Sequence, residues 1–104
     1  MRIPKRFKLL GHVIEVSNDN QRYYDKGSYG ACCYEGKWIK LVQPSEHHPI
    51  TQGSLEHTFC HELMHMLLYH ADAATTVNLR DNEGFVDLMA GLLHQALTTM
   101  EYED

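Results

Sequence analysis

His61-Glu62-Leu63-Met64-His65 lies inside a run, Ser54 to His70, in which Leu55, Phe59, Leu63, Met66 and Leu67 recur at helical spacing. Residues four apart on a helix stand one above the other on one face. Both imidazoles can therefore reach a single zinc ion, with Glu62 beside the water that the ion holds. The pattern alone is weak. His and Glu are each 8 of the 104 residues, so a shuffled chain would contain it about 5% of the time. Its meaning rests on a third ligand and on the surrounding fold.

Working outward, Ser54 can cap the motif helix, predicted over about 54–70, and Met64 and Leu68 widen its apolar surface to that of a central helix. Residues 71–80 read as a loop. Asp81 or Asn82 then starts a second helix, about 82–100, with Phe85, Leu88, Met89, Leu92, Ala96 and Leu97 as its buried stripe. The acidic end, Glu101 to Asp104, frays.

Upstream, Phe7 to Leu10 and Val13 to Val16 flank Gly11-His12 as a hairpin, and residues 17–28 form a polar loop or short irregular helix. Tyr29 to Tyr34 and Lys37 to Val42 make a second hairpin closed at Glu35-Gly36, and residues 43–53, with Pro44 and Pro49, connect it to the motif helix. The expected fold is α+β, a single domain over 1–104. A small, mainly antiparallel sheet of three to four strands (about 7–42) packs with the motif helix and a C-terminal glutamate helix.

A catalytic zinc needs three protein ligands and one open position. An HExxHxxGxxH arrangement would require Gly at 68 and His at 71, where this chain has Leu68 and Ala71, and His70 is about 100° off that slot. His57 shares the four-residue spacing but lies about 12 Å along the helix axis from His65, too far for one ion with bonds near 2 Å. It becomes a polar neighbour on the rim. Glu83 is the better ligand, since the seventeen residues between it and His65 let the first helix end and the second cross back over the metal. Asp87, four residues later, can accept the free ring N–H of His61 or His65. Ala90 and Gly91, farther along, are small enough for close approach of the helices. Taken alone, the two acids also fit a solvated helix N-terminus, where negative charge is favoured.

His-Glu-x-x-His followed by Asn82-Glu83-x-x-x-Asp87 resembles the gluzincin peptidases, the thermolysin type. The order of small sheet, motif helix and glutamate helix is most similar to minimal gluzincins and to the ImmA/IrrE metallopeptidases of phages and mobile elements. The resemblance implies zinc ligands His61, His65 and Glu83, catalytic Glu62, and Asp87 in support of a ligating histidine. The chain lacks the large C-terminal subdomain that supplies oxyanion-stabilising residues in thermolysin. Tyr69, four residues beyond His65, is the candidate donor, with His70 and Tyr29 as others.

The expected activity is endopeptidase hydrolysis, with one zinc as cofactor, Glu62 as general base and a protein or peptide as partner. The strand Lys37 to Val42, as an upper edge strand, would hold an extended peptide with Trp38 as its anchor, although Trp38 also suits core packing. The alternative is a non-catalytic zinc-binding regulatory or protein-interaction module.

A net charge of -5, with basic residues gathered only at Arg2, Lys5, Arg6 and Lys8, argues against nucleic acid as a partner. No apolar run reaches the roughly 18 residues of a membrane span, and no secretory core follows Met1. Three cysteines suit a reducing, cytoplasmic setting: Cys32 and Cys33 point to opposite strand faces, and Cys60 is packed away from the metal.

Overall fold

The computed structural model describes residues 1–19 and 29–103. Four strands, β1 (Arg6–Leu9), β2 (His12–Asp19), β3 (Gly30–Cys33) and β4 (Trp38–Val42), precede two helices, α1 (Gln52–Ala73) and α2 (Glu83–Thr99). The architecture is α+β, as the residue patterns indicate. β2 runs on through residues 17–19, and the rest of the loop expected there lies outside the described residues.

The sheet order is β1-β2-β4-β3, with antiparallel pairs β1/β2 and β3/β4 joined by a parallel β2/β4 pair. This central parallel pairing was not anticipated, and it removes β4 from the edge. Ile39 and Leu41 explain the placement: at 0% and 1% exposed they need a strand on each side, whereas the short, small-residue Gly-Ala-Cys-Cys strand β3 tolerates the outer position. The expectation that Lys37 to Val42 forms an edge strand is therefore corrected: β4 is internal, and β3 is the outer strand on that side. Trp38 alternates away from Ile39 and Leu41, and Lys40 Nζ lies 4.5 Å from the centre of its ring.

The first hairpin turn differs from expectation, whereas the second keeps the expected register, with Glu35-Gly36 at its centre. The first closes on Leu10-Gly11, with Leu9 opposite His12 and positive φ at both turn residues (50° and 80°), the twist that a two-residue hairpin demands. Partners shift by two residues from the expected register, so every side chain keeps its face. The second loop has four residues, 34–37, and its positive φ falls on Lys37.

One face of the sheet carries Phe7, Leu9, Ile14, Val16, Cys32, Ile39 and Leu41 toward α1, where they meet Leu55, Phe59 and Met66; Phe7 and Phe59 meet edge to face at 6.0 Å. α2 lies along α1, so α1 is covered from two directions. Its N-cap is Thr51, whose hydroxyl accepts the Ser54 N–H, three residues upstream of the expected cap, and it continues to Ala73. Asn82 caps α2 by accepting the Phe85 N–H.

The expected apolar stripe of α2 is corrected. Val86 and Ala90 are fully buried, with Met89 and Leu93 packed against the core, while Leu88 and Leu92 are 60% and 53% exposed. The helix turns its Glu83–Asp87 row toward α1, and Leu88 and Leu92 follow to the far side at 100° per residue. Val86→Ala is thus expected to lower unfolding free energy by about 2 kcal/mol, and Leu88→Ala to change it by no more than about 0.5 kcal/mol. Urea denaturation of the two variants checks this, and equal losses would contradict the observed rotation of α2.

No helix among the described residues is long and apolar enough to cross a membrane.

Candidate metal centre

α1 presents His61 and His65 on one face with their ring centroids 5.0 Å apart. Glu83, in the first turn of α2, sets one carboxylate oxygen 3.1 Å from His61 Nε2 and the other 3.2 Å from His65 Nε2. One ligand atom from each of the three residues lies within 4.8 Å of the other two. Ligands bonded at about 2.0–2.1 Å around a tetrahedral ion stand about 3.3 Å apart, close to both separations.

The other ring nitrogens decide what these contacts mean. His65 Nδ1 lies 2.8 Å from the Arg80 carbonyl oxygen, which can only accept, so Nδ1 carries the proton. In a neutral His65 ring the Nε2 lone pair then faces a Glu83 oxygen, acceptor against acceptor. His61 differs: its Nε2 can donate to Glu83 Oε2 at 3.1 Å, while its Nδ1 comes to 3.4 Å from Asp87 Oδ1. At His65 the arrangement is satisfied only by a second proton at the contact or by a cation between the nitrogen and the carboxylate; at His61 a proton on Nε2 already satisfies it, and a cation would displace that proton to Nδ1, toward Asp87. Two imidazole nitrogens and one carboxylate form a donor set that suits zinc. The residues fit the ion that the sequence implies.

Arg80 was not foreseen. Asp72, in the last turn of α1 and 8% exposed, accepts the Leu79 N–H at 2.9–3.0 Å and the Arg80 N–H at 2.9 Å, bending the connection so that the Arg80 carbonyl faces His65. The Arg80 guanidinium comes to 3.8 Å from the same carboxylate and lies over the rings of Tyr34 and Tyr69. Burial opposes the Asp72 charge, but the two N–H donors and the guanidinium outweigh it and hold the carboxyl below its ordinary value. No periodicity marks this contact, since it depends on a backbone carbonyl and a loop conformation.

Glu62 is 7% exposed and points toward the sheet side of the site. Burial pushes its carboxyl above the ordinary value, against the pull of the His65 and His61 rings and the Cys32 thiol; a cation bound alongside would draw it back down. Gly30 makes room for it. A Cβ at Gly30 would sit 2.7 Å from Thr58 Cγ2 and 3.3 Å from Glu62 Cγ. Burial, with Glu62 next to it, also drives the Cys32 thiol upward, so it remains protonated. Cys32 and Cys33 do diverge across the strand: the first packs toward the core, and the Cys33 sulfur accepts the Gly36 N–H.

A cleft of about 310 Å³ opens beside the triad, lined by Tyr29, Gly30, His57, Thr58, His61, Glu62 and Asp87. Tyr29 and His57 thus reach the site. Tyr69 is not part of this lining; its ring stacks on Tyr34 at 4.5 Å and meets His70 edge-on. His70 stacks in turn on His12.

No family model, curated protein or solved structure matches this chain.

Two outcomes follow from the geometry. Zinc affinity, measured by competition with a chromogenic chelator, should fall at least about tenfold in both Glu83→Ala and Glu83→Gln. Undiminished affinity in both would remove Glu83 from the ligand set. In metal-free protein, a depressed carboxyl contributes stability that is full above its ordinary value, 3.8 for Asp72, and is lost as pH falls through the lower folded value. Asp72→Asn should therefore be less stable than wild type at pH 7, with the difference narrowing below pH 3.8; denaturation at both pH values measures it.

Proposed function

We propose that this protein is a zinc-dependent endopeptidase of gluzincin type, with His61, His65 and Glu83 as the zinc ligands and Glu62 as the general base. The observation that carries the reading is the convergence of both Nε2 atoms on the Glu83 carboxylate, with His65 Nδ1 committed to the Arg80 carbonyl so that its Nε2 lone pair faces that carboxylate, an arrangement that a cation completes. Zinc bound there would acidify water and polarise a peptide carbonyl. Glu62, whose desolvation favours taking up a proton, accepts the proton of the attacking water and passes it to the leaving amine. The Arg80 carbonyl keeps His65 in the tautomer that leaves Nε2 free, and Asp87, 3.4 Å from His61 Nδ1, is placed to do the same for His61 once the ion is bound.

The substrate is a protein or peptide in extended form, lying along β3, the outer strand beside Glu62. The active protein works in a reducing compartment such as the cytoplasm, in keeping with its free thiols at Cys32, Cys33 and Cys60.

Glu62→Gln tests the reading. The variant should bind zinc as wild type does and cleave denatured casein at least about a hundredfold more slowly, with products followed by mass spectrometry. A zinc-loaded wild type whose biological activity survives Glu62→Gln unchanged would instead be a non-catalytic zinc module.

A further inference from the structure

The seam between α1 and α2 is antiparallel, and its rungs can be followed away from the triad. His65 faces Glu83 and His61 faces Asp87. One turn farther, His57 faces Gly91, where an added Cβ would lie 3.8 Å from His57 Nε2. The first two imidazoles have carboxylates opposite them. The third meets no side chain there, and among the described residues nothing hydrogen-bonds to it; its ring contact is an edge-on approach to His94 at 6.2 Å.

His57 also stands where two clefts meet. It lines the metal-side cleft of about 310 Å³ and a larger one of about 660 Å³, and Tyr29 and Thr58 are shared with it. The larger cleft continues past Ile50, Thr51 and Ser54 to His94. Among the described residues no carboxylate lines it, although the chain as a whole is acidic. The buried carboxylate at this end of the seam, Glu56, is occupied by His94 Nε2 at 3.0 Å. Unlike the surroundings of the triad, this stretch offers an available imidazole and hydroxyls with no competing acid among the described residues that line it.

We infer that His57 is a specificity-determining residue, and that it receives the side-chain carboxylate of a Glu or Asp in the bound peptide, which supplies the acid that Gly91 omits from the third rung. The inference rests on the peptidase reading for the identity of the ligand. Along the helix axis His57 lies about 9 Å from the midpoint of His61 and His65. At about 3.3–3.6 Å per extended residue, the acidic residue lies two or three positions from the bond that is cut.

The test uses zinc-loaded full-length protein and short peptides capped with a hydroxamate, which binds zinc and is not turned over. The peptides differ only in carrying Glu, Gln or Lys two or three positions from the cap. Wild type should bind the best-placed Glu peptide at least about tenfold more tightly than its Lys counterpart, the scale of a charge-assisted hydrogen bond. His57→Ala should bring the ratio near one, and His57→Glu should reverse it. Zinc content should remain that of wild type in both. Equal affinities in wild type, or a Glu preference that persists in His57→Ala, overturn the inference. Preference without casein cleavage sinks the peptidase reading and leaves the cleft assignment standing. If wild type holds no zinc, the metal-centre reading fails, and the same peptides without the cap then read the cleft directly. A Glu preference lost in His57→Ala supports the assignment, and its absence overturns it.

Discussion

The Glu83 carboxylate, held between His61 Nε2 and His65 Nε2, is the contact on which the organisation of the helical half depends. It joins the first turn of α2 to the third and fourth turns of α1, and so sets both the register and the rotation of one helix against the other. With Glu83 opposite His65, the 3.6-residue period brings Asp87 opposite His61 and Gly91 opposite His57. The same rotation buries Val86 and Ala90 and leaves Leu88 and Leu92 outside. A purely hydrophobic docking of α2 would have favoured the longer apolar stripe. The rotation observed instead keeps Glu83 and Asp87 on the flank of the seam, largely exposed and within reach of His61 and His65, at little cost, since an exposed leucine is cheap.

The remainder of the fold holds α1 in position for that contact. Behind it, the sheet covers the opposite face, and Gly30 lets β3 approach closely enough to border Glu62. At its C-terminal end, Asp72 gathers the backbone N–H groups of residues 79 and 80, and the resulting bend delivers the Arg80 carbonyl to His65. Each imidazole is thus oriented from two directions, one through Nδ1 and one through Nε2. Such double support restricts ring rotation, which a metal site needs if its ligands are to be in place before the ion arrives.

Much of this was legible in local pattern. The motif helix, a start of α2 at Asp81 or Asn82, the divergence of Cys32 and Cys33, and the placement of Asp87 beside a motif histidine all follow from spacings of two, three or four residues. The failures share a different character. The parallel β2/β4 pairing depends on which strand must be covered on both sides, a property of Ile39 and Leu41 in the assembled sheet and not of their neighbours in sequence. The expected α2 stripe and the Glu83–Asp87 row lie on nearly opposite sides of one helix, and the face that turns inward, Val86 with Ala90, falls between them. Tyr69 has the spacing of a residue on the metal-facing side, yet its ring is taken up by Tyr34 and Arg80.

By itself, the amino-acid sequence determined the elements and the chemistry carried within each: two histidines and a glutamate along one helix, and two acids a turn apart on the next. Backbone geometry repeats every few residues, so side chains that close in the chain have their relative positions settled locally. Tertiary structure alone decided which face of α2 turns inward, which strand forms the edge beside Glu62, that a backbone carbonyl from residue 80 anchors His65, and that His57 faces a glycine. These relations join residues that are distant along the chain, and the packing of whole elements sets their distances.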